Sequence, residues 1–314
     1  MWRQLRTKNA VYRHLKHLTL QLQARALEEL ASAPDVPACC LSASLAALPQ
    51  LRELLIYMAP DDPLPTSTAE QLWNPFHELP RLEVVTFLGY ISPLHRLLLR
   101  GALPRTIRTL NLSPHSRQDW PLPTHMIDAL STLVEHVGAP HLTSLTLETV
   151  PIKRKGQILL ETVEQSTVSL TAFLSKLPKL ALLQLKGDSS FLRGSFSALP
   201  PSVRQLTLAI NADSYFKSRR RDERLLAAIG SWLEDGQLGS APLLGILQYG
   251  LYKPRVSADM EPSTTTCDQA DNWQVGLLAA QCEAKGIAFV PLECSTSSLL
   301  DQLAPGQVRV HECL

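Results

Sequence analysis

The sequence is poor in glycine, in aromatic residues and in any excess of charge. Its 314 residues include 14 glycines and 6% aromatic residues, and 30 Lys and Arg balance 29 Asp and Glu to leave a net charge of +1. Without an overall field, nucleic acid and anionic membranes are disfavoured as partners. The low glycine content excludes a collagen-like chain, and 45% hydrophobic residues exclude a disordered one. No apolar run reaches the roughly 18 residues of a membrane-spanning helix, so we expect no membrane partner.

Cysteine is also sparse and irregularly placed. None of the six cysteines forms a Cys-x-x-Cys pair, and none lies between Cys40 and Cys267. This spacing argues against a zinc module and against a disulfide framework. No apolar segment near Met1 has the form of a secretory signal. We therefore expect a reducing compartment, either the cytoplasm or the nucleus.

The sequence lacks the common catalytic motifs. It contains no Gly-x-Ser-x-Gly elbow, no His-Glu-x-x-His and no glycine-rich phosphate loop, and its nine histidines lack metal-ligand spacing. The run Gly187-Asp188-Ser189-Ser190 has a superficial likeness to the start of an esterase nucleophile block. A hydrolase with its site in the loops is therefore one alternative. The main prediction is a protein that is not an enzyme, with no catalytic residue, no cofactor and no metal.

One dense charge cluster extends from Lys217 to Arg224. It could act as a nuclear-import signal or bind phosphate, and nuclear or nucleic-acid binding through it is a second alternative. We favour an exposed loop that leads into a helix at Leu225, with Asp222 and Glu223 near the positive end of the helix dipole.

Leucine is the residue that the sequence has in abundance, with 59 copies. Many of them fall into a pattern that returns eight times, and such self-similarity is typical of repeat proteins. Each full copy has an apolar residue, usually a proline after it, and three further apolar anchors, of which the last two alternate with other residues. The copies lie at residues 15–20, 48–56, 79–87, 103–112, 139–147, 177–185, 199–208 and 241–249, with a degenerate ninth at 286–290.

The spacing of the anchors predicts a strand at the end of each copy. Alternation of the last two anchors buries one face of a short strand, and the preceding proline favours a turn into extended backbone. Helical periodicity lies between copies, at residues 124–137, 159–177, 224–233 and 273–282. Strands and helices in series favour parallel strands, and stacked units bury the apolar edge that one unit cannot bury alone.

These residues resemble the leucine-rich repeat family, as Leu180-x-x-Leu183-x-Leu185 illustrates with its Leu-x-x-Leu-x-Leu core. The final anchors are 23 to 41 residues apart, and such irregular, helix-containing repeats look most like those behind F-box domains of fungal proteins. The segment 282–287 resembles their last helix-to-strand step. The resemblance implies an α/β fold: a leucine-rich repeat solenoid, or horseshoe, with a parallel inner sheet and outer helices. We expect a single domain over residues 1–314 with mobile insertions near 61–68 and 257–271.

The resemblance also implies a function. We expect a non-enzymatic scaffold that binds another protein of unknown identity, and in a sharper version the substrate receptor of an F-box-type ubiquitin ligase. An F-box would precede the repeats as a helical module, whereas here the first copy begins at Leu15. A Skp adaptor and a cullin are therefore expected as partners only if an F-box lies upstream.

In this family the inner sheet usually supplies the binding surface, through the residues that alternate with the strand anchors. Nearly all of these are uncharged, which disfavours nucleic-acid binding by the sheet. Leu55, Tyr57, Val84 and Leu88 form a more apolar patch and a candidate anchor for a protein partner. The predicted partner-binding residues are Glu53, Leu55, Tyr57, Val84, Thr86, Leu88, Thr109, Asn111, Ser144, Thr146, Glu148, Gln184, Lys186, Gln205 and Thr207.

Overall fold

A computed structural model of the chain describes the repeat strands and several of the segments between them. The described residues are 14–22, 48–58, 79–89, 106–114, 141–148, 153–154, 157–158, 168, 170–187, 189–193, 199–211, 219–234, 241–252, 273–292 and 309–310. The helix predicted at 124–137 and the insertions predicted near 61–68 and 257–271 lie outside them.

Strands end each repeat, as the anchor spacing predicts. The strands are β1 His17–Leu22, β2 Glu53–Met58, β3 Val84–Gly89, β4 Thr109–Pro114, β5 Ser144–Glu148, β6 Lys153–Arg154, β7 Gln157–Ile158, β8 Leu182–Gly187, β9 Gln205–Asn211, β10 Ile246–Tyr252, β11 Ala288–Leu292 and β12 Arg309–Val310. The helices are α1 Ser189–Arg193, α2 Arg219–Glu234 and α3 Trp273–Ala284, and residues 170–174 are also helical.

The chain divides into two compact units. The first comprises residues Met1–Pro121, Asp128–Leu142 and Leu303–Leu314, and its strands follow the order β12-β1-β2-β3-β4. The second comprises Leu122–Ile127 and Thr143–Gln302, with the order β5-β8-β9-β10-β11. Neighbouring strands within each order are parallel, and only the two-residue strands β6 and β7 pair antiparallel in the described residues. The prediction of parallel strands from successive repeats is confirmed.

Equivalent anchors of successive repeats lie side by side. In the second unit Leu145 pairs with Leu183, which pairs with Leu206, and Leu206 with Leu247. All four side chains are at most 1% exposed, so the anchors form a continuous core behind each set of strands. The degenerate ninth copy is also a strand: Phe289 lies opposite Leu247, although Pro291, in the place of the last anchor, is exposed.

A tight turn explains the proline of the repeat. The carbonyl oxygen of Leu48 accepts a hydrogen bond of 3.0 Å from the N–H of Leu51. The carbonyl oxygens of Leu177 and Ala241 likewise accept from the N–H of the residue three positions later. Proline is the second residue of these turns, where its fixed φ suits a β-turn. The turn ends each time at the apolar anchor that leads into the strand.

Two copies have one more residue between the proline and the next anchor, and in both a hydroxyl group bonds to the preceding copy. In the copy at 199–208 the turn shifts by one residue, and the carbonyl oxygen of Pro200 accepts from the N–H of Val203 at 3.1 Å. Ser202, the additional residue, donates through Oγ to the carbonyl oxygen of Leu180 in the preceding copy at 2.8 Å. Thr106 does the same to Leu82 at 2.5 Å.

A shared carbonyl joins consecutive repeats at the strand entrance. The carbonyl oxygen of Lys16 accepts from the N–H groups of both Arg52 and Glu53, at 2.8 and 3.0 Å. The same double acceptance occurs at the carbonyls of Arg52, Glu83, Thr143, Ala181 and Arg204. A carbonyl oxygen has two lone pairs, so one acceptor satisfies two amides. Because the same pair of bonds recurs at each of these strand entrances, the strands of consecutive copies keep the same register.

The helices of the second unit pack on each other and on the strands. Helix α2 contacts α1 and α3, α1 contacts β8, and α3 contacts β11. The predicted start of α2 at Leu225 is wrong, because the helix begins at Arg219 and includes six of the residues that were expected to form a loop. Arginine has a high intrinsic helix propensity, which extends the helix beyond its apolar stripe.

The end of α3 forms a Schellman motif. The N–H of Ile287 donates to the carbonyl oxygen of Cys282 at 2.9 Å, and that of Gly286 to Glu283 at 2.9 Å. Gly286 has a φ of 71°, which is the left-handed conformation that this motif needs at its C′ residue. Ile287 and Cys282 are both buried, as the accompanying apolar contact requires. The motif ends α3 and directs the chain into β11.

Candidate interaction surface

The inner face of the second unit consists of three rows of side chains that alternate with the anchors. Strand register aligns each row across the five strands. The first row is Ser144, Leu182, Gln205, Ile246 and Ala288; the middle row is Thr146, Gln184, Thr207, Gln248 and Val290; the third is Glu148, Lys186, Ala209, Gly250 and Leu292. The anchors are buried behind parallel strands that come from successive repeats. These two observations establish the architecture of the chain. The chain has a leucine-rich repeat fold.

Two separate threonine–glutamine pairs make up a hydrogen-bonded ladder in the middle row of this leucine-rich repeat sheet. Thr146 donates through Oγ1 to Oε1 of Gln184 at 3.3 Å, and Thr207 donates to Oε1 of Gln248 at 2.7 Å. Oε1 of Gln248 also accepts from Nε2 of Gln205 at 3.1 Å. Both threonines are buried, and their hydroxyl groups bond within the sheet. Both hydroxyl groups therefore support a neighbouring glutamine, and a partner-binding role for the two threonines stays a prediction.

These contacts orient the three amide groups. Oε1 of Gln184 and of Gln248 faces a threonine, so the NH2 group, with its two donors, lies at the other end of each amide. Gln205 is oriented the opposite way, since its Nε2 is the donor and its Oε1 remains as an acceptor. All three side chains are partly exposed. The face thus offers donors and an acceptor in fixed positions.

Apolar side chains are exposed beside this ladder. Leu182 is 45% exposed, Ile246 36% and Val290 38%, and all three belong to the first two rows. Large apolar residues with this exposure occur, among the residues described, only in the second unit. The alternation of each repeat places Leu182 and Ile246 on the inner face, but it does not reveal that they are uncovered.

The patch predicted in the first unit is much less accessible. Leu55 is 8% exposed and Leu88 5%, while Val84 is partly exposed; the side chain of Tyr57 lies outside the described part. The four residues do lie on neighbouring strands, with Leu55 opposite Thr86 and Tyr57 opposite Leu88. A partner-binding role for the patch stays a prediction, and burial leaves Leu55 and Leu88 little surface to contribute.

Polar contacts also link the strands of the first unit. Asn111 donates through Nδ2 to Oγ1 of Thr86 at 3.0 Å, and Nδ1 of His17 lies 2.7 Å from Oε2 of Glu53. The pair of His17 and Glu53 is about half exposed, which limits its contribution to stability. Glu53, Thr109 and Asn111 are partly exposed.

Charge is confined to one corner of the inner face of the second unit. Glu148 and Lys186 lie opposite each other in the third row, on β5 and β8, and Glu148 is only 6% exposed. The remaining members of the three rows are uncharged. Ser144, which opens the first row, is partly exposed. Lys186 is partly exposed, so the first and middle rows are neutral and the accessible charge lies in the third row.

The structure places the other candidate residues outside this surface. Ser189 and Ser190 form the first two positions of α1, and the basic cluster from Arg219 onward lies in α2, where Arg224 is exposed. Burial raises the pKa of Cys282 to about 11, which makes it a structural rather than a reactive thiol. The described segments contain no group of three or more side chains suited to a metal, and none of their helices is long and apolar enough to cross a membrane.

Comparisons with known proteins return structural likeness only. No family model and no curated protein matches the sequence. The leucine-rich repeat-containing protein LegL7 from Legionella pneumophila is 15% identical, with 95% of each chain covered and a TM-score of 0.45. A protein from Bacteroides fragilis is 9% identical, with 84% of this chain and 68% of the other covered and a TM-score of 0.42. The fold assignment rests on the strand order and buried anchors of this chain.

Proposed function

We propose that this chain is a non-enzymatic scaffold that binds a partner protein through the inner face of its repeat strands. The observation that carries the proposal is the pair of neutral rows on the inner face of the second unit, where oriented amides lie beside exposed Leu182 and Ile246. Exposed apolar side chains on a rigid surface are characteristic of protein interaction sites. Shared carbonyls join the parallel strands, so that these side chains lie side by side on one face.

Quantitative affinity capture with three arginine variants tests the proposal. Ile246→Arg changes the inner face of the second unit, and Thr109→Arg changes that of the first. Leu243→Arg is the matched control, because Leu243 is 53% exposed but precedes β10 in the turn. We expect at least one inner-face variant to lose partners that the wild type and Leu243→Arg retain. Equal capture by all four proteins would contradict the proposal.

The sharper version, a substrate receptor of an F-box-type ubiquitin ligase, is supported only by the resemblance of the repeats. Its test is capture of a Skp adaptor or a cullin by a chain that includes any sequence encoded upstream of Met1. Recovery of neither would contradict the ligase version and leave the scaffold in place.

The two alternative functions have simple tests. Turnover of generic ester or phosphate substrates that is abolished by Ser189→Ala would favour a hydrolase. Loss of nuclear localisation, or of retention on a polyanion column, after neutralisation of residues 217–224 would favour nuclear or nucleic-acid binding.

A further inference from the structure

Glutamine amides and apolar side chains alternate on the accessible face of the second unit. We infer that this face binds an uncharged, extended segment of a partner protein, with the amides of Gln205 and Gln248 bonding to its peptide groups and Leu182 and Ile246 contacting its apolar side chains. The inference rests on the proposed function and adds the chemical class of the ligand.

The bonded amides of Gln205 and Gln248 together offer one hydrogen-bond acceptor and one donor to a ligand. Gln205 donates through Nε2 to Oε1 of Gln248, which leaves Oε1 of Gln205 as an acceptor and Nε2 of Gln248 as a donor. A peptide group requires one of each, because it carries one N–H and one carbonyl oxygen. The backbone groups of a helix already bond to each other, so an extended segment is the form that offers both to a partner.

Apolar contacts flank the pair of amides. Leu182 on β8 and Ile246 on β10 lie on either side of Gln205 in the same row. Strands are about 4.8 Å apart, so the two side chains are roughly 10 Å from each other, with the amide between them. An extended chain of polyproline II form returns every third side chain to the same side after about 9 Å, so it can place apolar side chains on both while a peptide group faces Gln205.

The neutrality of the first and middle rows selects against a charged segment over them. A charged side chain that replaced water over Leu182, Gln205 and Ile246 would lose hydration and meet no opposite charge there. The charges of Glu148 and Lys186 lie in the third row, where Glu148 is 6% exposed and Lys186 is partly exposed. Apolar burial and neutral hydrogen bonds depend little on salt, so binding should be nearly independent of ionic strength.

Random linear peptides displayed on phage and selected on the 314-residue chain are a suitable probe. We expect the enriched peptides to lack charged residues and to bind with an affinity that changes less than about twofold between low and physiological salt. Gln248→Leu should weaken binding about tenfold, the effect of one lost hydrogen bond of about 1.4 kcal/mol. Methylation of the backbone nitrogen that faces Gln205 should weaken it similarly. Ile246→Ser and Leu182→Ser test the apolar contacts separately.

The controls separate this inference from the proposed function. Leu243→Ser removes an exposed apolar side chain outside the inner face and should leave binding unchanged. Peptides that lose binding on Thr109→Arg but not on Gln248→Leu or Ile246→Ser would contradict the inference and leave the scaffold proposal standing. Enrichment of charged peptides with salt-sensitive binding, or no enrichment over an unrelated protein, would also overturn it. Unfolding curves of each variant distinguish lost binding from lost folding.

Discussion

Two glycines of α3 and its C-terminal turn differ in the backbone conformation that they adopt and in the space around them. Gly286 adopts a φ of 71° in the Schellman motif, whereas Gly276 lies in the helix with nothing within 4 Å of the position where a Cβ would stand. The two glycines are ten residues apart in one helix–turn segment, and their substitution separates backbone strain from helix propensity.

We predict opposite effects of alanine at these two glycines. Gly286→Ala should lower the free energy of unfolding by about 1 kcal/mol, because a residue with a Cβ is strained in the left-handed region. Gly276→Ala should raise it by up to about 1 kcal/mol, because alanine favours the helix and has space there. Urea unfolding of both variants measures the difference. A Gly286→Ala protein as stable as the wild type would contradict the role assigned to the motif.

Cys282 makes stability depend on pH in a defined direction. Burial raises the pKa of its thiol from the ordinary 9.0 to about 11, so the folded chain holds the proton more tightly than the unfolded chain. Its contribution to stability is complete below pH 9.0 and is lost as the pH rises toward about 11. In reducing buffer, the difference in unfolding free energy between wild type and Cys282→Ala should therefore shrink over this range. A constant difference would show that the thiol does not titrate differently on folding.

At the scale of the element, each repeat strand has a packed face and a presented face. Leu183 is 1% exposed and belongs to the anchor core, whereas its neighbour Leu182 is 45% exposed on the inner face. The strand's alternation alone separates their roles, since the two residues are adjacent and identical.

Alanine at these two leucines should therefore have very different costs. We expect Leu183→Ala to lower the free energy of unfolding by about 2–5 kcal/mol through the cavity that it leaves. Leu182→Ala should lower it by less than about 0.5 kcal/mol, as surface substitutions usually do. Thermal unfolding of the pair provides the measurement. Similar losses for both would mean that β8 does not divide its faces as the structure has them.

The same strand illustrates what could be predicted from the sequence. The spacing of Leu180, Leu183 and Leu185 predicts a strand with these anchors buried, because period-two alternation and the turn before it are local features. The exposure of Leu182 and the bond from Thr146 to Gln184 depend on the register between repeats of unequal length and on what lies over the sheet. A local sequence pattern therefore predicts neither this exposure nor this hydrogen bond. The early start of α2 at Arg219 was missed for a related reason, since arginine prolongs a helix without an apolar period.

At the scale of the whole molecule, repeats contact mainly their neighbours along the strand order. Within the first unit β2 pairs with β1 and β3, and in the second β9 pairs with β8 and β10. Among the described strand entrances, shared carbonyls such as that of Arg52 join consecutive copies. Stability in such an arrangement is approximately a sum of repeat and nearest-neighbour contributions, so damage to one copy should spread a limited distance.

Hydrogen exchange measured by mass spectrometry tests this locality. Leu54→Ala removes a fully buried anchor of β2, and it should speed exchange of the amides in β1, β2 and β3. The amides of β9 should keep their protection, because the strands that pair with β9 are β8 and β10. Arg52→Ala is the matched control: its side chain is exposed, while the shared carbonyl is retained. Exchange that rose equally in β2 and β9 would mean that the chain opens as one cooperative body, with stability no longer assigned repeat by repeat.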